Sequence, residues 1–357
     1  MDSALVNQII GIGFTVAVFG GLGIAFWVVG GKDARRRKRA LRTPPPLPLH
    51  RGDPLLGRLA SACLRQDLQT LHQELSGMYG DWDRRGYYLA AIVAELPKCR
   101  AALGGWAASA PQDPLARLLN GVAHVAWGWE ARGSGLASSV SEEGWRLFRE
   151  RLGVARAELA EASRLDPRDP SPPTYQILVC KALGEPDEVL EAAYQEAIAR
   201  DPHHFDAHSG RVNSLTKKWS GSEHAALELA RHISASAPPG GDLQMLVVDA
   251  LLEEWQALRR ERGADAARAF LRSSAFRLET RRAMEDSILN HMHRDGHGWA
   301  LLAVNVGAYT AWLLQDDPLL RRLLERLGDK AGVVGWNVAD AKLAAFVAEA
   351  RVKVGLL

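Results

Sequence analysis

A chain of 357 residues with 47% hydrophobic and 24% charged residues has the composition of a folded, core-forming protein, which excludes a wholly disordered one. Its net charge of +2 conceals a polarity: Lys32, Arg35, Arg36, Arg37, Lys38, Arg39 and Arg42 against Asp33 place +6 in residues 32–42 and leave residues 43–357 at −3, so nucleic-acid binding would have to rest on that short segment and is not expected. Cys63, Cys99 and Cys180 are odd in number, far apart and set in apolar helical patterns, which excludes a disulfide framework or a paired-cysteine zinc site and reads as small core residues in a reducing compartment.

In chain order, Ala4 to Val29 carries no ionisable side chain. As a helix it would cover roughly 39 Å, enough to span a ~30 Å hydrocarbon core. Asp2 precedes the run and the basic cluster follows it, the reverse of a cleaved signal peptide. Residues 1–31 are therefore expected to be a single-pass transmembrane anchor with the N-terminus outside and the rest of the chain cytoplasmic. Trp27 suits the interfacial belt, and Lys32, Arg35, Arg36, Arg37, Lys38, Arg39 and Arg42 suit contact with anionic lipid. Gly13, Ala17, Gly21 and Ala25 form a small-residue stripe along which a second copy's helix could pack, giving a homo-oligomer. Residues 32–52 then read as a basic and proline-rich linker, with Thr43 to Pro48 favouring an extended spacer.

From residue 53 to 357 the apolar period is helical throughout, and no alternating or β-branched run proposes a sheet. Helices are expected over 54–78, 82–103, 113–132, 142–165, 172–183, 187–200, 205–217, 221–234, 242–261, 264–293, 297–314, 317–327 and 337–353. Ser139 with Glu142 and Ser220 with Glu223 have capping-box spacing. Breaks fall at Gly133 to Gly135, Pro170 to Pro173, Pro238 to Gly241 and Gly328 to Gly335, and a sub-boundary is placed near 235–242.

Two segments are self-similar. Ala155 to Pro167 (ARAELAEASRLDP) and Leu190 to Pro202 (LEAAYQEAIARDP) share alanines at helical spacing and a closing Asp-Pro, with Asp166 and Asp201 separated by 35 residues. That is close to the ~34-residue tetratricopeptide period, and the period is lost elsewhere. The fold class expected is all-α: a transmembrane helix followed by a cytoplasmic, degenerate tetratricopeptide-like α-solenoid.

The segments LARLLNGVAHVAWGWEAR (115–132), FRERLGVARAELAEASRLDPRDPSPPT (148–174) and DPHHFDAHSGRVNSLTKKWSGSEHAALELAR (201–231) resemble an uncharacterised bacterial tetratricopeptide-like family catalogued as domain of unknown function 4034. The resemblance spans about residues 55–350 and is most specific at WEARG and KWSGS. It implies a helical-repeat fold and supplies no activity or catalytic residues.

Candidate chemistry is sparse. His291, His293 and His297 form one histidine series and His204 with His208, four apart, another. Neither has the H-E-x-x-H order or a nearby cysteine pair, so capping, exposure or partner contact is preferred to a metal. No phosphate-binding loop or nucleophile elbow occurs, no catalytic residue is assigned, and no cofactor is implied. Among eleven tryptophans, Trp127 and Trp129 flank the WEAR segment and Trp219 sits in KWSGS. With Glu130, Arg132 and Lys218 they are the expected partner-binding residues, if all line one concave face. The expected function is a membrane-anchored scaffold that recruits a protein partner. The rivals are a metal-dependent hydrolase or other enzyme centred on His291, His293 and His297, and a structural membrane oligomer.

Overall fold

The structure is a computed structural model that describes residues 31–44, 47, 49–133, 139–219, 221–294, 298–332 and 340–357. The expected membrane segment, with Gly13, Ala17, Gly21, Ala25 and Trp27, lies outside these residues. Every regular element described is helical, so the fold is all-α. Among the described residues no helix is long and apolar enough to cross a membrane. The basic segment forms helix α1 (Gly31–Arg42), and Arg37, Lys38, Arg39 and Arg42 are exposed on it.

Contacts divide the chain into two compact units, one over residues 53–237 and one over 238–357 together with the described residues up to 52. The first unit begins with α2 (Pro54–Arg65), α3 (Leu68–Ser76), α4 (Trp82–Ile92), α5 (Arg100–Ser109) and α6 (Pro114–Arg132). It continues through α7 (Glu142–Leu165), α8 (Ser171–Leu183), α9 (Asp187–Arg200), α10 (Phe205–Ser214) and α11 (Ala225–Ser236). Helices α6 and α7 pack antiparallel at close range, with Arg117 bonded to Glu158 at 3.1 Å near one end and Trp129 against Phe148 near the other. Alanine and glycine make this approach possible: Ala116, Ala123, Ala155 and Ala162 are buried, and a Cβ on Gly121 would lie 2.9 Å from Leu159 Cγ. Helices α9 and α10 form a second hairpin, where Tyr194, Ala197 and Ala207 join Ile177 of α8 in one apolar cluster.

Two long helices expected in this unit are interrupted. Residues 54–78 break where Gln66 turns left-handed (φ 57°) and Asp67 accepts the Thr70 N–H to start α3. Residues 82–103 break at a 3₁₀ turn, Leu96–Cys99, because Pro97 has no N–H to continue an α-helix. The cap of α7 is Ser141, whose Oγ accepts the Gly144 N–H at 3.0 Å, rather than Ser139. Ser220 lies outside the described residues, and the following helix starts only at Ala225.

The second unit contains α12 (Met245–Arg272), α13 (Ser274–Asp286), α14 (Gly298–Leu314), α15 (Asp317–Leu327) and α16 (Asp340–Lys353). Within α12 the backbone at Gly263 is non-helical (φ 83°), a kink between two helical stretches that falls where a break is expected between residues 261 and 264. A further break falls at Ser273, extended and capping Phe276 at 3.2 Å, and helix ends at Asp286 rather than running to residue 293. Helix α14 is the centre of this unit, with Trp299, Leu302, Val306 and Thr310 all buried. Its Asn305 is satisfied internally, donating to the Leu301 carbonyl at 2.9 Å and accepting the Gly332 N–H at 2.7 Å.

Candidate functional site

The two Asp-Pro turns that end α7 and α9 are built alike. Asp166 Oδ1 accepts the Arg168 N–H at 3.1 Å, and Asp201 Oδ1 accepts the His203 N–H at 3.2 Å, so each carboxylate folds back over the turn that its proline enforces. Arg200, the last residue of α9, ties the turns together by donating to the Asp169 carbonyl at 2.7 Å and the Asp166 carbonyl at 3.4 Å.

The first turn of α4 packs into these two turns. Arg85 and Asp169 form an ion pair at 3.0 Å with side chains only 5% and 4% exposed, and Asp169 also caps α8 through the Ser171 N–H at 2.8 Å. Asp83 reaches across 122 residues to accept the Phe205 N–H at 2.9 Å, so α4 supplies the cap of α10. The residue at the cap position itself, His204, makes no capping bond.

His204 is fully buried, yet neither ring nitrogen has a hydrogen-bond partner. Its Nδ1 lies 3.7 Å from Asp83 Oδ1 and 3.6 Å from Asp201 Oδ2. One ring edge is pressed on Gly86, where a Cβ would come within 3.1 Å of Cε1. Burial opposes protonation of His204, but Asp201, Asp83 and Asp206 together hold its pKa above the ordinary value. Asp201 is held low despite its own desolvation by His204 and His203, whereas burial, with the Asp83 charge adding to it, lifts Asp206 to about 6. Buried near Asp206, the Tyr175 hydroxyl is pushed well above its usual range by desolvation and has no hydrogen-bond partner.

The expected pairing of His204 with His208 does not occur. His208 Nδ1 meets the Tyr194 hydroxyl at 2.9 Å and its Nε2 meets the Pro202 carbonyl at 2.9 Å, so both nitrogens are engaged. In the second unit His291 is exposed, while the His293 side chain is 1% exposed with Nδ1 at 3.1 Å from the Gly240 carbonyl. His297 lies outside the described residues. Among the described residues, a group of three side chains able to share one ion occurs at Asp83, Asp201 and His204.

The aromatic residues near the α6–α7 turn fall into two groups. Trp127 and Trp129 are two apart, about 200° around α6, and so point to different sides. Trp127 is clasped by Arg151 at 3.6 Å and Arg100 at 4.6 Å, the same two cations that offset the desolvation raising the Glu130 carboxyl. Trp129, 5% exposed, packs edge-on against Phe148 and Trp219. Arg132 lies between Trp129 and Trp145, at 5.3 and 5.4 Å. Half-buried Trp219 carries the Lys181 ammonium 4.7 Å from its ring, with Lys218 beside it in sequence. Five of the six expected residues thus fall around two aromatic–cation clusters, Trp127 and Glu130 at Arg100 and Arg151, and Trp129 with Arg132 and Trp219, while Lys218 is placed beside the second only by sequence.

The three free cysteines are buried, and neighbouring Cys99 together with burial raises the Cys63 thiol pKa, a proximity that their separation in sequence does not reveal. No protein-family model, curated protein or solved structure matches the chain.

Proposed function

We propose that this chain is a membrane-tethered, tetratricopeptide-like scaffold that holds a protein partner at the cytoplasmic face. Successive helix hairpins, α7 with α8 and α9 with α10, closed by equivalent Asp-Pro turns, support the repeat reading. The observation that carries the binding role is Trp219, half-buried between the ring of Trp129 and the ammonium of Lys181. The Lys181 ammonium beside the half-buried Trp219 ring gives this cluster an aromatic face and positive charge suited to an acidic segment. Residues 1–31 serve as the tether, which raises the partner's effective concentration at the membrane, and oligomerisation follows from the small-residue stripe. No turnover is required of such a protein.

The test is photo-crosslinking from position 218 in the full chain in its host membrane. A defined protein adduct that disappears in Trp219→Ala and Lys181→Glu supports recruitment. An adduct unchanged by both substitutions, or none at all, removes this cluster as the docking site.

A further inference from the structure

We infer that Asp83, Asp201 and His204 form a binding site for one divalent transition-metal ion, with zinc as its reference occupant. The inference does not depend on the scaffold reading. A group of acidic side chains alone would be a solvated surface, and what separates this one is His204. The imidazole is 1% exposed, has no hydrogen-bond partner at either nitrogen, and aims Nδ1 between two carboxylates. An imidazolium held by direct charge-assisted bonds would sit at ~2.7–2.9 Å from its acceptors. Here the separations are 3.6 and 3.7 Å, and the donor atoms of all three residues lie within 4.8 Å of one another. Ligands at ~2.0–2.1 Å from a tetrahedral ion stand roughly 3.3–3.4 Å apart. The spacing is therefore wide for hydrogen bonds and a few tenths of an ångström from that of a shared coordination sphere.

The surrounding chain fixes the three groups in advance. Asp83 is oriented by the Phe205 N–H, Asp201 by the His203 N–H on its other oxygen, and the His204 ring by its packing on Gly86. One nitrogen and two carboxylates suit a borderline ion such as Zn²⁺ or Mn²⁺, lack the sulfur that selects Cu⁺, and give fewer oxygens than Ca²⁺ takes. Three protein ligands leave a coordination position open, and Asp83, 46% exposed, puts that position toward solvent. The site draws its ligands from α4 and from the turn before α10, so a bound ion would cross-link the start of the unit to its second Asp-Pro turn.

The experiment is calorimetric titration of the metal-stripped full chain with Zn²⁺, beside X-ray absorption of the Zn²⁺-loaded native chain. We expect one equivalent bound, a first shell of one imidazole with oxygen donors, and affinity reduced by at least ~10–100-fold in Asp201→Asn, Asp83→Asn and His204→Ala. His291→Ala should bind as the native chain does. No binding by the native chain, unchanged affinity in Asp201→Asn, or a shell containing thiolate or several imidazoles would each overturn the assignment. Should His204→Ala fail to fold, the Asn variants decide, because they keep the shape and the capping acceptors. The absorption spectrum needs no variant.

Discussion

Arg85 is the residue on which the first unit's turn cluster depends most, because its partner Asp169 is as buried as it is. Arg85→Met removes the cation and leaves Asp169 buried and uncompensated, which should cost about 3–5 kcal/mol in urea unfolding followed by tryptophan fluorescence. Neither this pair nor the His204 group was legible in the sequence. Arg85 and Asp169 are 84 positions apart and Asp83 and His204 121, and an i, i+4 spacing suggested His208 as the companion of His204 when Tyr194 and Pro202 had already engaged it. Asp249 of α12 makes the opposite kind of prediction. Burial, with Glu253 nearby, raises its pKa well above the carboxylate range, and its Oδ1 has no hydrogen-bond partner. A raised folded-state pKa means the stability it contributes is complete below its unfolded value of ~3.9 and is lost as pH rises toward the folded value. Asp249→Asn should therefore stabilise the chain at neutral pH by about 1–3 kcal/mol and flatten the decline of the unfolding midpoint above pH ~4. An unchanged pH profile in that variant would show that Asp249 does not titrate in this way.

At the scale of elements, the helices bounded by strong local chemistry were readable. Asp-Pro placed the ends of α7 and α9, and the apolar period placed α6 and α15. Where a helix end depends on tertiary packing, periodicity ran straight through it. The turn at Gln66 leaves the apolar stripe intact on both sides, whereas the kink at Gly263 falls at the break expected between residues 261 and 264. The packing of α6 against α7 gives a contrast that separates close approach from propensity. A Cβ on Gly121 falls 2.9 Å from Leu159 Cγ, whereas one on Gly128 finds ordinary contacts of 3.4–3.5 Å with Leu152 and Phe148. Gly121→Val should thus lose about 1–3 kcal/mol through overpacking. Gly128→Ala should gain roughly 0.5–1 kcal/mol, because alanine is the better helix former and displaces nothing. Equal effects at the two sites, read from chemical denaturation, would contradict this account of the interface.

For the molecule as a whole, the all-α class was legible because a 3.6-residue period persists from residue 53 onward, and the division at Ala237 and Pro238 falls within the Pro238–Gly241 break. The geometry of the proposed partner surface was less so: sequence proximity put Trp127 and Trp129 together, while a helix carries residues two apart to different sides. The proposed attachment to a membrane is a property of the whole chain and rests on charge order. Ala4 to Val29 has no ionisable side chain, Asp2 precedes it, and +6 follows within residues 32–42. At roughly 1 kcal/mol per basic residue near an anionic surface, the cluster alone would give binding that salt reverses. The apolar run, if it spans, gives binding that salt does not. Full-length chain should accordingly stay in the membrane pellet through both high-salt and alkaline carbonate washes, while a chain beginning at residue 32, with the basic helix kept, should be released by salt. Release of the full-length chain by salt would reduce residues 4–29 from an anchor to an auxiliary, and would leave the basic helix as the principal membrane contact.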